Sequence, residues 1–144
     1  MSEENKALAR RWADDLMNQR NVDVAEEIYA SDFVGHGPTM PEDVRGVEGR
    51  KEFYGMYLIA FPDAQITIED QVAEGDAVAT RWTGRGTHQG ELMGVPPSGN
   101  RVEVAGITIS RIEGGKIVEE WDNYDALGMM QGIGAIPEQE QPPS

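Results

Sequence analysis

The residues of this sequence that could carry chemistry are its carboxylates and its two histidines, since it contains no cysteine. Without cysteine there is no disulfide framework, no thiolate nucleophile and no cysteine-based zinc site. Asp122 and Asp125 lie near the C-terminal end, and His36 and His88 lie in two separate segments. A carboxylate that is partly removed from water has a pKa above the reference value of ~3.9, and it can then take a proton from a carbon flanked by carbonyl groups.

Established catalytic and binding motifs do not account for these residues. The histidines lack the H-E-x-x-H spacing of zinc enzymes, and Gly84-Arg85-Gly86 lacks the lysine of a phosphate-binding loop. Ser98 and Ser110 do not lie in the nucleophile-elbow motif of serine hydrolases. We therefore expect no metal ion and no bound nucleotide.

The charge of the chain narrows the choice of partners. Lysine and arginine number 12 against 26 aspartates and glutamates, which gives a formal net charge of -14. Such a surface repels nucleic acid phosphates and anionic lipid. No apolar run approaches the ~20 residues of a membrane helix, and the N-terminal residues Glu3 and Glu4 are unlike a secretory signal. We expect a cytoplasmic protein that binds neither nucleic acid nor membrane.

The N-terminal half of the chain has the periodicity of helices. Leu8, Trp12 and Leu16 recur at helical spacing within residues 3–20, and a shorter second helix is predicted to end near Ala30. A third helix is predicted over residues 50–61, before Pro62. The glycine- and proline-rich stretch 35–49 between the second and third helices is predicted to be a long ordered loop.

The C-terminal half has the alternation of strands joined by tight turns. Strands are predicted over residues 65–72, 77–89, 102–112 and 116–124, followed by a short helix over 127–130. This order predicts an α+β fold in which three N-terminal helices pack on a strongly curved antiparallel sheet, a cone-shaped barrel with one internal pocket. The domain is expected to span residues 1–134, followed by a polar, proline-rich tail over 135–144.

A longer motif connects the chain to a known family. Residues 86–99 read G-T-H-Q-G followed by P-P-S-G, and the pattern extends through A-F-P-D at 60–63 and G-K-I-V-E at 115–119. Over roughly residues 5–134 the chain resembles SnoaL-like polyketide cyclases. The resemblance implies a nuclear-transport-factor-like cone that assembles as a homodimer or homotetramer. It also implies an intramolecular aldol closure without metal or organic cofactor.

The resemblance assigns roles to particular residues. The family's general base is an aspartate on the last strand, which matches Asp122, and the histidine that faces this base is replaced here by Thr108. Along that strand Glu120, Asp122 and Tyr124 share one face, and the sequence leaves open which face lines the pocket. Asp122 could alternatively be an exposed acid at the end of the strand.

The histidines and aromatic residues complete the candidate site. His36 could lie at the pocket or be a hydrogen-bonded loop residue, and His88 could polarise a carbonyl or bond to the loop of Pro96 and Pro97. Asp125 suits a helix cap. The candidate substrate-binding residues, which could equally belong to the core, are Phe33, Tyr57, Phe61, Trp82, Thr108 and Trp121.

Two functions are consistent with these residues. The first is a cofactor-free, polyketide cyclase-like enzyme that acts on an enolisable or polycyclic carbonyl compound, or a related hydrolase or isomerase. Asp122 would be the base, and His36 or His88 would polarise the carbonyl. The second is a non-catalytic protein that binds a small hydrophobic molecule. The candidate dimer interface is the outer sheet face, with some of Val78, Val104, Ile107, Ile109 and Ile117.

Overall fold

The computed structural model describes residues 2–38 and 42–135. Helix α1 continues through a π-helical segment, Trp12–Met17, and a 3-10 turn, Val22–Val24, precedes α2. The predicted tail over 135–144 lies outside the described residues except for Ala135. The elements are α1 (Ser2–Arg11), α2 (Ala25–Ile28), β1 (Tyr29–His36), β2 (Val44–Arg45), α3 (Gly46–Ala60), β3 (Gln65–Glu74), β4 (Ala77–Thr87), β5 (Arg101–Glu113), β6 (Lys116–Tyr124) and α4 (Ala126–Gly132).

The strands form one six-stranded sheet in the order β2-β1-β6-β5-β4-β3. Strands β3 to β6 pair antiparallel in sequence order, as the turn signals predict. Register shifts interrupt the β3–β4 and β5–β6 ladders, and such bulges bend a sheet. Helices α1 and α3 cover the concave side, which confirms the predicted α+β fold of helices on a curved sheet.

The structure differs from the sequence prediction in the segment 35–49. The segment 35–49 is not one long loop, because β1 extends to His36 and the chain re-enters the sheet as β2. Gly46, with a φ of 72°, turns the chain directly from β2 into α3. Strand β1 runs parallel to β6, so the sheet is mixed rather than wholly antiparallel. Because this stretch is rich in glycine and proline, a prediction from composition misses β2 and the end of β1.

Strand β5 shows which face of the sheet is the inner one. Its burial alternates strictly, with Val102, Val104, Gly106, Thr108 and Ser110 buried and the residues between them exposed or half-buried. Because Thr108 pairs with Asp122 and Ser110 with Glu120 on β6, those two acids also point inward. The alternation therefore settles the question that the sequence left open.

None of the helices within the described residues is long and apolar enough to cross a membrane.

Gly106 tests how tightly the inner face is packed. A Cβ at this position would lie 2.5 Å from the Trp82 ring and 2.8 Å from the Tyr124 Cβ. We expect Gly106→Ala to lower the free energy of unfolding by about 1–3 kcal/mol, measured by urea denaturation. In the control, Gly55→Ala in α3, the new Cβ meets nothing within 4 Å. This variant should be more stable than wild type by about 0.5–1 kcal/mol. Equal effects of the two substitutions would contradict the packing argument.

Candidate active site

A cavity of about 110 Å³ lies between the helices and the inner face of the sheet. Most of its wall is apolar, and Trp12, Trp82 and Phe61 contribute large aromatic surfaces. The rings of Trp12 and Trp82 meet edge to face, with their centroids 5.3 Å apart. Among the described residues that line the cavity, Asp122 is the one carboxylate. The arrangement places a single acid in a mostly apolar hollow, whose other charged lining residue is Arg85.

The Asp122 carboxylate is held at both oxygens. Its Oδ1 accepts a hydrogen bond from the Thr108 hydroxyl at 2.7 Å, and its Oδ2 accepts one from Nη2 of Arg50 at 2.9 Å. Thr108 accepts in turn from the indole N–H of Trp82 at 3.0 Å. Thr108 is not among the residues that line the cavity. Its hydroxyl therefore orients the carboxylate, and its side chain does not contact the enclosed space.

Arg50 is the largest buried side chain of the site. It projects from α3 with a side-chain exposure of 1%, and the same Nη2 also donates to Oε1 of Glu120 at 2.8 Å. The rings of Phe33 and Tyr54 lie 4.8 Å from its Cζ, and those of Tyr29 and Phe53 lie slightly farther away. Four aromatic faces thus replace part of the hydration that the guanidinium loses on burial. Burial raises the pKa of Tyr54, which keeps this ring neutral.

Glu120, two residues before Asp122 on the same face of β6, has a matching set of partners. Its Oε2 accepts from the Ser110 hydroxyl at 2.5 Å, and its Oε1 accepts from Arg50. Glu120 is buried, and this burial raises its pKa while the Arg50 charge opposes the rise. Each carboxylate therefore receives one hydroxyl from β5 and one N–H from Arg50. We call Glu120, Arg50 and Asp122 the inner triad.

Sequence reasoning missed Arg50 and Glu120 as site residues. The strand pattern does place Glu120 on the same face as Asp122, and Thr108-x-Ser110 faces Glu120-x-Asp122 across the ladder. Arg50 carries no comparable signal, because an arginine on an amphipathic helix is normally exposed.

His36 and Trp121 lie on the outer face of the sheet, so the expectation that they belong to the pocket needs correction. The alternation of β6 directs Glu119 and Trp121 away from Asp122. His36 bonds to Glu119 through Nε2 at 2.7 Å and to Asp43 through Nδ1 at 2.9 Å, and its ring stacks on Trp121. The hydrogen bond to Glu119 raises the pKa of His36.

His88 is buried within the G-T-H-Q-G to P-P-S-G segment and does not line the cavity. Its Nδ1 accepts from the backbone N–H of Ser98 at 3.1 Å and bonds to the Ser98 hydroxyl at 2.9 Å. The backbone N–H of His88 donates to the Asn100 carbonyl and the Gly99 N–H donates to the His88 carbonyl, which closes the same loop. His88 thus holds the loop together, the structural alternative considered for it, although its partner is Ser98.

Other candidate residues are divided between the cavity and its surroundings. Tyr57, Phe61 and Trp82 line the cavity, whereas Phe33 packs on Arg50 behind it. The hydroxyls of Tyr57 and Tyr124 are 3.0 Å apart, and both residues line the cavity. Asp125 caps α4 by accepting from the N–H of Gly128 at 2.8 Å. Within residues 2–38 and 42–135, no three His, Asp or Glu side chains are grouped so as to hold a metal ion.

Comparison with known proteins identifies the family. A family model for SnoaL-like polyketide cyclases matches residues 7–133. The chain belongs to this family. A search of curated proteins gave no match.

Solved structures resemble this SnoaL-like chain along most of its length. A protein from Jannaschia sp. CCS1, described as a SnoaL-like polyketide cyclase, is 27% identical, with a TM-score of 0.86 over 94% of this chain and 95% of that chain. AclR from Streptomyces galilaeus, described as a hydroxylase, is 31% identical, with a TM-score of 0.83 over 98% of this chain and 87% of that chain. IdmH from Streptomyces antibioticus, described as a polyketide cyclase, is 33% identical, with a TM-score of 0.77 over 90% of this chain and 98% of that chain. Because relatives of one fold are described with different reactions, the reaction must be argued from the site.

The pH dependence of stability should distinguish the two neighbouring glutamates of β6. Because the pKa of Glu120 is raised in the folded state, its stabilising contribution is complete below the ordinary value of 4.5 and falls as the pH rises through the raised value. As the pH rises through this range, we expect the free energy of unfolding of wild type to decrease relative to that of Glu120→Gln. The measurement is urea denaturation in a pH series.

Glu119→Gln is the matched control for this measurement. The hydrogen bond to His36 lowers the pKa of Glu119, so its contribution is present above the ordinary value of 4.5 and is lost as the pH falls through the lowered value. The two variants should therefore differ from wild type with opposite pH trends in the acidic range. Parallel trends would contradict the assignment of the inner and outer faces.

Proposed function

We propose that this SnoaL-like protein is a cofactor-independent enzyme in which Asp122 removes a proton from the carbon next to a ketone in a flat, apolar substrate. One observation carries the proposal: Asp122 is the one carboxylate among the described residues that line a mostly apolar cavity. A carboxylate with little water around it is a better base, and it attacks a C–H bond more readily than a hydrated one.

The proposed reaction is an intramolecular aldol closure. Asp122 takes a proton from the carbon, and the electron pair of the broken C–H bond forms the enolate. The enolate carbon then bonds to a second carbonyl carbon of the same molecule. The oxygen of that carbonyl becomes an alkoxide and receives the proton back from Asp122. The step needs no oxidant and no other reactant, in keeping with the proposed cofactor-independent reaction.

Tyr57 and Tyr124 are the proposed donors to the enolate oxygen. Their hydroxyls are 3.0 Å apart in the cavity wall and hydrogen-bonded to each other, so one O–H donates within the pair. The pair as a unit then offers its other O–H to a developing negative charge. The Thr108 hydroxyl is committed to Asp122, and the His36 ring lies on the outer face. The tyrosine pair therefore takes the carbonyl-polarising role that the sequence suggested for a histidine.

The volume of the cavity limits how much of the substrate is enclosed. Pockets that bury a drug-sized ligand span ~300–1,000 Å³, and the cavity here is about 110 Å³. It is of the order of the engineered ~150 Å³ cavity that holds one benzene molecule. We propose that the reacting ring or ketone enters the cavity, while the remainder of a polycyclic substrate stays outside.

Exchange of substrate hydrogen with solvent tests the proposed base directly, whatever product the natural substrate forms. Bicyclic aryl ketones with slow spontaneous exchange are incubated with the protein in D₂O, and deuterium incorporation next to the carbonyl is followed by mass spectrometry. We expect Asp122→Asn to lower the enzyme-dependent rate by a factor of about 10²–10⁴, because the amide cannot accept the proton. Asp76→Asn, at an exposed turn, is the control that should retain the wild-type rate.

Two results would overturn the proposal. Undiminished exchange by Asp122→Asn would show that another group is the base. Binding of the ketones with no exchange by wild type would favour the alternative function, a small-molecule binding protein.

We also propose that the protein is a homodimer joined through the outer sheet face. One row across four paired strands contains Val72, Ala79, Ile109 and Trp121, and Ile107 lies beside it. Val72, Ile107, Ile109 and Trp121 are all exposed. Val78, Val104 and Ile117, which the sequence also suggested for this interface, are instead buried in the core. A strongly acidic chain would associate most favourably through such an apolar face.

A charge placed in this row should disrupt the dimer. We expect wild type to be dimeric and Ile109→Glu to be monomeric at micromolar concentration, measured by light scattering, because the interface would bury an unpaired carboxylate. Ile59 is 69% exposed on α3, away from the outer face, so Ile59→Glu should leave the mass unchanged. A monomeric wild type would remove the proposal.

A further inference from the structure

The inner triad places two carboxylates on one cation. Arg50 stays protonated, and one nitrogen, Nη2, donates to both Glu120 and Asp122. With both acids ionised, the triad carries a net charge of -1 in a buried site. A net charge in such surroundings is costly, so uptake of one proton is favoured.

The two carboxylates differ in access to the cavity. The Glu120 side chain is 3% exposed and does not line the cavity, whereas the Asp122 side chain is 10% exposed and does. Both otherwise have matching partners, a hydroxyl from β5 and an N–H of Arg50. A proton that leaves a substrate in the cavity can therefore reach Asp122 directly, and Glu120 can act only indirectly, through Arg50 and through its charge interaction with Asp122.

The tyrosine and hydroxyl side chains that face the inner triad are neutral. Tyr29 from β1 and Tyr54 from α3 face Arg50, and burial raises the pKa of both phenols, which keeps them neutral. Thr108 and Ser110 from β5 contribute hydroxyls, and Tyr124 of β6 and Tyr57 of α3 lie in the cavity wall beside Asp122. Arg85 of β4 is the other charged residue among the described residues that line the cavity, and its guanidinium is paired with Thr67 and Glu103. The charge balance at Asp122 is therefore set mainly by Arg50 and Glu120.

We propose that Glu120 is a positioning residue that sets the base strength of Asp122 by competing for Arg50. The proposal rests on the proposed function of Asp122 as the base. Paired with Asp122 alone, Arg50 would stabilise the charged carboxylate and make it a weak base. Glu120 draws part of that stabilisation away. When the substrate C–H bond breaks and its proton binds to Asp122, Arg50 and Glu120 remain as a neutral ion pair.

Carboxyl NMR of the ligand-free protein tests this coupling apart from catalysis. In protein labelled with ¹³C at glutamate carboxyls, we expect Asp122→Asn to move the titration midpoint of Glu120 to lower pH, because the charge of Asp122 contributes to the raised pKa of Glu120. Asp76→Asn, a change at an exposed turn, should leave that midpoint in place. An unmoved midpoint in Asp122→Asn would overturn the proposal.

Assignment of the Glu120 signal follows from Glu120→Gln, which removes it. Coupling between two sites is mutual, so the shift of the Glu120 midpoint in Asp122→Asn also reports the effect of Glu120 on Asp122.

The exchange assay separates failure of this inference from failure of the proposed function. Glu120→Gln should shift the acidic limb of the pH–rate profile to lower pH and reduce the plateau rate about threefold, since a weaker base transfers protons more slowly. If Asp122→Asn retains full exchange, the proposed function fails. If Asp122→Asn loses exchange while Glu120→Gln keeps the wild-type profile, only the role of Glu120 fails.

Discussion

The buried guanidinium of Arg50 is the interaction on which the site depends. It joins α3 to β6 through hydrogen bonds to Glu120 and Asp122, and it lies among four aromatic rings. Two adjacent carboxylates on the inner face of a sheet would repel each other and lose hydration without this cation. The same contact holds α3 over the sheet, and residues of α3 form part of the cavity wall. Formation of the cavity and retention of its carboxylate therefore depend on one ion-pair network.

Strand β6 separates two kinds of polar chemistry by its alternation. Inward, Glu120 and Asp122 bond to β5 hydroxyls and Arg50 in a site with little water. Outward, Glu119 bonds to His36 and Arg111 where solvent reaches all three side chains. Charge interactions are stronger and less screened on the inner side. A shift of one residue in the register of β6 would exchange the two sets, so the ladder with β5 determines the electrostatics of the cavity.

The sequence predicts well those features that arise from local periodicity. The bounds of β6 and the meander from β3 to β6 follow from alternation and turns. The bounds and pairing of strand β1 do not follow from the sequence pattern, because its pairing partner is the distant strand β6 and its C-terminal end runs into a glycine- and proline-rich stretch. The burial of Arg50 does not follow from it either, since it depends on rings and carboxylates from other elements. Acids on both faces of β6 also prevent any assignment of the inner face from sequence.

The resemblance implies a histidine opposite the base, and Thr108 at that position changes how the proposed site divides its functions. An imidazole opposite the base could both orient it and stabilise a developing negative charge. The threonine hydroxyl only orients, because Thr108 donates to Asp122 and accepts from Trp82. Charge stabilisation then requires other donors in the wall, and Tyr57 and Tyr124 provide hydroxyls there. Neutral phenols suit this cavity better than an imidazolium would, because a further cation near Asp122 would weaken the base that Glu120 and Arg50 hold in balance.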